Sequence, residues 1–368
     1  MTNESVNNIN FKDISVIVQG PIIENETIYC LKSIRKYLPG AEIILSTWKN
    51  SDTKGLDFDK LILNDDPSCT YSDKCKKIPF NLNRQIVSTQ NGLKEVKRKY
   101  AFKLRSDLIL TNNTFLEYFD KYQKRNNEFK LFNRKVLVAT IFTRKYLFIN
   151  HIKYYTPFSV SDFFIFGERE DLEKYLSSLN LMNEEDAYYF YNKEEDNPSY
   201  LSNARYSAEQ YIPYNAFKKY FPQIKMNSSK DVTEENILQS EIAIVNNFIV
   251  LPTYIGGIYT KKYAYTKYKF IAEGYGLQGL YNEYVYQVDY KKYCDKDFKI
   301  TAKESKIQEL NLVEEYYKIV DHFVRFFRPT SSISKKIEEL FFQIPKFSLI
   351  FFIKFIENSI KYRIKKLP

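Results

Sequence analysis

ISVIVQGPIIENETIYCLKSIRKYLPGAEIILSTW (14–48) reads as one strand–helix–strand unit. Its opening ISVIVQGPI (14–22) is a short β-branched run stopped by Gly20-Pro21, the composition of a buried parallel strand. Over 24–40, apolar residues recur at Ile28, Leu31, Ile34 and Leu38 before a Pro-Gly stop, the spacing of an amphipathic helix. AEIILSTW (41–48) is then a second strand. Two parallel strands cannot be joined by a tight turn, and a helix between them is the usual crossover.

The same rhythm continues downstream. KLILNDDP (60–67) is a third strand ending in two carboxylates, and NLNRQIVSTQNGLKEVK (81–97) is a helix with Ile86, Val87 and Leu93 inward. YAFKLRSDLIL (100–110) closes the series. This order predicts an α/β fold, a mixed and mostly parallel, Rossmann-like sheet flanked by helices. Ligands of such sheets bind beyond the carboxyl ends of the strands. Gln19, Ser46, Asp65, Asp66 and Asp107 gather there.

Beyond about 130 the pattern loosens. KVLVATIFTR (135–144) and SDFFIFGE (161–168) are strands, REDLEKYLSSLNL (169–181) is a helix, and 183–205 is a loop or insertion. SAEQYIPYNAFKKYF (207–221) is a helix interrupted by proline, and ENILQSEIAIVNNFIVLP (235–252) is a helix followed by a strand. The Tyr- and Lys-rich stretch 253–298 reads as irregular. The expected division is one α/β region over 1–252, in two halves (14–112 and 130–252). An irregular region (253–333) and a carboxyl-terminal extension (334–368) follow.

Composition narrows the function. The chain has 368 residues with 44% hydrophobic and 17% aromatic content, enough for a sizeable core and too apolar for disorder. Its formal charge is +10, yet 318–368 alone carries eleven Lys or Arg against four Asp or Glu, an excess of seven. Charge so localised argues against a nucleic-acid surface spread over the protein, and no nucleic-acid partner is expected. In the extension, Lys354, Lys361 and Lys365 share one helical face while Phe347, Phe351, Phe352, Phe355 and Ile356 load the other. That pattern suits the surface of an anionic membrane, and equally a helix packing on its own domain. Cys30, Cys69, Cys75 and Cys294, with only His151 and His322, match no zinc spacing. No leader pattern opens the chain and no uncharged apolar run reaches eighteen residues, so the expectation is a reduced, cytoplasmic protein, peripheral on the inner face of the membrane.

The polar residues at the strand ends suit a nucleotide carrying a diphosphate. Gly20-Pro21 after Gln19 is a turn that lets backbone approach a base. Ser46 and Trp48 offer a hydroxyl and a stacking face, and Asp65 and Asp66 offer acceptors for ribose hydroxyls. Asn83 and Arg84 open a helix, where an anion is favoured. Arg105, Ser106 and Asp107 follow the fourth strand, and Asp107 offers one ligand to a divalent cation, Mg²⁺ or Mn²⁺, bridging two phosphates. Each has a plainer role as well: a turn, core packing, an Asx cap, or an Arg105–Asp107 ion pair.

ISVIVQGPI, CLKSIRKYLPGAEIILSTW, LILNDDP, NLNRQIVSTQNGL and KLRSDLILTN, with SDFFIFG and EQY later, together resemble the WavE-type lipopolysaccharide-synthesis proteins, which look like bacterial glycosyltransferases of the GT-A kind. The resemblance is strong over 14–112 and looser over 157–212. It implies a GT-A-like catalytic domain over 1–252, binding a nucleotide-sugar donor through 14–112 and a glycolipid or oligosaccharide acceptor through 130–252, with 253–333 completing the acceptor side, in lipopolysaccharide, lipooligosaccharide or capsule assembly. It places Ser106 and Asp107 where GT-A enzymes carry an Asp-x-Asp metal motif, with Arg105 standing at the first carboxylate.

Transfer with inversion needs a base for the acceptor hydroxyl. Asp162, before a very apolar strand, and Glu209, on the following helix, are the two candidates, Asp162 the stronger. Two other functions fit the same sheet less well. A nucleotidylyl or polyol-phosphate transferase usually has a Gly-rich loop after the first strand, and QGPIIENE is acidic and poor in Gly. A membrane-surface scaffold gives no reason for polar residues to collect at strand ends.

Overall fold

A computed structural model describes residues 9–71, 79–149, 152–191, 203–259 and 279–302. A 3-10 turn (Phe11–Asp13) leads into β1 (Ile14–Gln19), α1 (Glu24–Tyr37), β2 (Glu42–Trp48) and β3 (Lys60–Asn64). The short strands β4 (Thr70–Tyr71) and β5 (Pro79–Phe80) precede α2 (Leu82–Lys94), β6 (Tyr100–Arg105) and β7 (Ile109–Leu110). Next come β8 (Val136–Ala139), the antiparallel pair β9 (Arg144–Ile149) and β10 (Ile152–Ser159), β11 (Phe164–Glu168), α3 (Arg169–Leu176) and α4 (Glu184–Ala187). The described order ends with α5 (Ala208–Tyr220), α6 (Glu234–Asn247), β12 (Phe248–Leu251), α7 (Thr253–Gly256), β13 (Ile258–Tyr259) and α8 (Glu283–Tyr293).

Seven strands form the central sheet in the order β12-β8-β11-β6-β1-β2-β3. Every neighbouring pair is parallel except those of β11, which runs antiparallel to both β6 and β8. This is the mixed, mostly parallel α/β sheet that the strand–helix rhythm predicts. Strand alternation sends Ile17, Ile44, Ala101, Val138, Ile165 and Val250 to one face, under α2, α3, α5 and α6. Val16, Val18, Leu45, Phe102, Leu104 and Phe164 go to the other, against Leu31 and Ile34 of α1. Gly92 lets α2 lie directly on the sheet, since a Cβ there would come within 2.5 Å of Ile17 Cγ2.

Several local expectations change. Val87 is only half-buried, and Ser88 and Thr89 face inward with Ile86 and Leu93. Helix α5 runs unbroken through Pro213. The strands β9 and β10 occupy residues for which no strand beyond 144 is expected. The stretch expected to be irregular contains α8, capped by Asn282, whose side chain accepts from the Val285 amide. Tyr286 and Tyr290 of α8 pack into the same buried cluster as α5 and α6. Asp171 in the first turn of α3 accepts from the amides of Asn133 (2.7 Å) and Arg134 (2.8 Å). The basic extension 334–368, Cys75, His151, Gly274 and Gly276 lie outside the described residues.

No helix among the described residues is long and apolar enough to cross a membrane. Cys30, Cys69 and Cys294 are free thiols, and burial raises the thiol pKa of Cys30 and Cys294.

Candidate functional site

The carboxyl ends of β1, β2, β3 and β6, and the start of antiparallel β11, lie side by side along one rim. In the register Gln19 stands opposite both Ser46 and Arg105, and Phe164 opposite Leu104. Asp162 and Phe163, just before β11, therefore come beside the end of β6. Helix α2 runs back across the sheet, so its first turn, with Asn83 and Arg84, is on this rim too.

Beneath the rim is a ladder of hydrogen bonds. Ser88 Oγ donates to Gln19 Oε1 (2.8 Å), Ser46 Oγ donates to the Ser88 carbonyl (2.7 Å), and Asn64 Nδ2 donates to Ser46 Oγ (3.0 Å). Ser46 is fully buried and Gln19 nearly so. These two candidates thus tie β1 and β2 to α2, and Ser46 offers no open hydroxyl to a ligand. Ser106 is a similar link: its amide donates to the Gln19 carbonyl (2.9 Å) and its hydroxyl to the Pro21 carbonyl (2.7 Å). Gly20 at φ +122° permits this crossing, because a Cβ there would lie 3.0 Å from Ser106 Oγ. Residues 19–21 and 106 are brought together as one scaffold.

One turn earlier in α2, Arg84 grips Asp66 in a two-pronged ion pair, Nε to Oδ1 at 2.7 Å and Nη2 to Oδ2 at 2.6 Å. That bond lowers the Asp66 carboxyl pKa and raises that of the guanidinium. Asp65 points outward and pairs with Lys49 (2.7 Å). Trp48, half-buried, ends β2 opposite Asn64 of β3. The Asn83 side chain is engaged by backbone: it both accepts from the Met182 amide (2.8 Å) and donates to the Met182 carbonyl (2.9 Å).

Arg105 and Asp107 form the second ion pair of the rim. Nε meets Oδ1 at 2.9 Å and Nη2 meets Oδ2 at 2.6 Å, and the guanidinium lies over the Phe163 ring, 4.4 Å from its centre. Asp107 is buried, its side chain 5% exposed, while that of Arg105 is 21% exposed.

The two base candidates meet. The Val160 amide donates to the Glu209 carbonyl at 3.0 Å, which docks the first turn of α5 against the segment carrying Asp162. Burial first, and then the charge of Asp162, raise the Glu209 carboxyl pKa; Arg144 opposes that rise from β9. Asp162 is 5% exposed, and its Oδ1 has no hydrogen-bond partner among the described residues. An orphaned, buried carboxylate oxygen is costly and points to a missing donor. From below, Lys103 Nζ donates to the Asp162 backbone carbonyl, and burial lowers the pKa of this amine to about 8.

Lys103, Arg144 and Phe163 belong to the site and were not singled out from the sequence. A lysine inside YAFKLR, at a core-facing position of a buried strand, is the one signal that was visible. Arg144 and Phe163 reach the site only through tertiary packing.

The divalent cation expected at Asp107 needs a fitting set of ligands. Mg²⁺ is commonly held by one or two carboxylates together with substrate phosphates. Here both oxygens of Asp107 are bound by Arg105. Among the described residues no group of three or more His, Cys, Asp or Glu is placed to hold a metal. The Arg105-Ser106-Asp107 turn does not fit a cation as it stands.

The model of the family described as WavE lipopolysaccharide synthesis matches residues 14–314. No curated protein matches. Among solved structures, TarS 1–349 of S. aureus is similar at 12% identity and a TM-score of 0.30, covering 88% of this chain and 76% of that one. The 4-diphosphocytidyl-2C-methyl-D-erythritol synthase of Anaerococcus prevotii DSM 20548 is similar at 11% identity and a TM-score of 0.28, covering 62% of this chain and 95% of that one. The fold assignment rests on the strand order of the chain itself.

Proposed function

The chain belongs to the WavE lipopolysaccharide synthesis family, and from that premise we propose that it is a glycosyltransferase. It moves a sugar from a nucleotide-sugar donor to a glycolipid or oligosaccharide acceptor in the assembly of a bacterial surface polysaccharide. The observation that carries this reading is the buried Asp162 Oδ1, without a hydrogen-bond partner among the described residues, at the same rim as two arginines. A carboxylate held dry and unpartnered beside cationic groups is what an acceptor hydroxyl and a leaving diphosphate need together.

In this reading the donor diphosphate lies at the ends of β1 and β6, with its nucleoside towards Trp48, Asp65 and Asp66. The acceptor hydroxyl donates to Asp162 Oδ1. Its oxygen forms a bond to the anomeric carbon as the bond from that carbon to the diphosphate oxygen breaks. The released electron pair stays on the diphosphate, the hydroxyl proton passes to Asp162, and the product is inverted at the anomeric centre. Glu209, whose neutral form is favoured by burial and by the Asp162 charge, donates a hydrogen bond to the incoming sugar. Lys103 fixes the backbone of Asp162.

The basic, aromatic extension 334–368 supports attachment to an anionic membrane surface on the cytoplasmic side, next to a lipid-linked acceptor. Vesicle pelleting with full-length protein tests this. Lys354→Gln, Lys361→Gln and Lys365→Gln together should weaken binding to anionic vesicles, and unchanged pelleting would remove the assignment.

The function itself is tested by a thermal-shift screen of UDP, GDP, CMP and dTDP sugars, each with and without Mn²⁺. A ligand that binds only the folded state raises its melting temperature by mass action. One nucleotide series should stand out, and its sugar should then pass to an acceptor extract. Transfer of a nucleotidyl group instead of the sugar would overturn the glycosyltransferase assignment.

A further inference from the structure

We infer that the donor diphosphate is neutralised by the fixed guanidinium of Arg105 and not by a divalent cation, with Asp107 serving to aim that guanidinium. This rests on the glycosyltransferase reading and adds to it the means of leaving-group stabilisation.

Position comes first. Arg105 is the last residue of β6 and stands opposite Gln19 in the register, next to the Gly20-Pro21 turn. That is the rim where the diphosphate must depart. Asp107, two residues on, is the one carboxylate of this turn.

Geometry decides between the two roles Asp107 can play. As a metal ligand it must present an oxygen to the cleft. Instead Oδ1 and Oδ2 each accept from the guanidinium, at 2.9 and 2.6 Å, and the side chain is 5% exposed. The guanidinium is held on its flat side as well, over the ring of Phe163 at 4.4 Å. An arginine gripped along one edge and stacked on one face has lost its rotamer freedom before any ligand arrives. A cation approaching Asp107 would have to break both bonds and then sit beside the positive charge it displaced.

Chemistry supports the substitution. Arginine stays charged at any physiological pH, and its planar fork matches phosphate oxygens in a way a point charge does not. Asp107 engages the guanidinium through Nε and Nη2. Negative charge develops on the bridging oxygen as the bond to the anomeric carbon breaks. A fixed guanidinium stabilises that charge without reorganising. The two carboxylates past β3 are already committed, Asp66 to Arg84 and Asp65 to Lys49.

The test is calorimetric binding of UDP, GDP, CDP and dTDP to the full-length protein, first in EDTA and then in excess Mn²⁺. At least one nucleotide should bind in EDTA, with affinity changed less than about threefold by Mn²⁺. Losing a charge-assisted partner costs a bound phosphate about 30-fold or more in affinity, so Arg105→Gln should weaken binding by that much. Asp107→Asn keeps the guanidinium and should weaken binding far less, whereas loss of a metal ligand would abolish it. The double variant Arg105→Gln/Asp107→Asn leaves no unpaired buried carboxylate, and should match Arg105→Gln in affinity while regaining stability. Nucleotide binding that requires Mn²⁺ and disappears in Asp107→Asn overturns the inference while leaving the glycosyltransferase reading intact. Failure of every nucleotide to bind in either medium removes both.

Discussion

The amide of Val160 donates to the carbonyl of Glu209 at 3.0 Å, and Pro213 explains why that carbonyl is open to it. In a continuous helix the carbonyl of residue 209 would accept from the amide of residue 213, four positions on. Proline has no amide hydrogen. The missing helical bond is thus replaced by a tertiary one, which seats Asp162 beside Glu209.

Pro213→Ala should loosen this seat. Alanine is about 3 kcal/mol better than proline in a helix interior, so the melting temperature should hold or rise. The new amide competes with Val160 for the Glu209 carbonyl, and turnover should fall several-fold. Differential scanning fluorimetry beside a transfer assay checks both. A variant as active as the wild type would show that the Val160 tether does not position Asp162.

Lys103→Met removes a buried amine. With its pKa lowered to about 8, this lysine favours the folded state less when charged than when neutral. Wild-type stability from this group is therefore low below pH 8 and rises as pH climbs towards the unfolded value near ~10.4. The stability difference in favour of Lys103→Met should be largest at pH 7 and shrink by pH 10. Transfer should slow because the Asp162 carbonyl loses its donor. A difference independent of pH would contradict the buried-charge assignment.

Asp66→Asn should cost little, because the Asp66–Arg84 pair is partly exposed and such pairs contribute up to about 1 kcal/mol. Its sign is definite. The folded-state carboxyl pKa is lowered, so the contribution is present above the ordinary carboxylate range and vanishes as pH falls through the folded value. Urea unfolding at pH 7 and pH 2 should show a deficit for the variant only at pH 7. An equal deficit at both would mean the pair is not the cause.

Glu209→Gln imitates the neutral acid that burial favours, and should keep activity within about tenfold of wild type, the scale of one hydrogen bond near 1 kcal/mol. Because the carboxyl pKa is raised in the fold, wild-type stability falls as pH rises through the window above the ordinary carboxylate value. Glu209→Gln should not show that fall. Loss of all transfer in this variant would make Glu209 the base in place of Asp162.

Much of the frame was legible in the chain because period and punctuation are local properties. Ile28, Leu31 and Ile34 mark α1, and Gly20-Pro21 ends β1, without reference to anything distant. What failed was the reading of polar side chains. Ser46 and Asn83 looked like ligand groups in sequence, and each is engaged by backbone brought from elsewhere, Ser46 by Ser88 and Asn83 by Met182. Phe163 under Arg105, and Arg144 opposite Glu209, are consequences of β11 and β9 meeting β6 and α5, which no local pattern encodes. Helix α8 was hidden by tyrosine richness, since Tyr286 and Tyr290 are core residues in a stretch whose Tyr and Lys content suggested irregular structure.

The central claim is that Asp162 takes the acceptor proton at a nucleotide-sugar site. Rapid-quench single-turnover transfer, with the donor selected by the thermal-shift screen, tests it most directly in wild type and Asp162→Asn. Donor affinity should be the same in both, while the variant transfers at least about 100-fold more slowly, the scale of a lost general base. Equal transfer rates at equal donor occupancy would contradict the account.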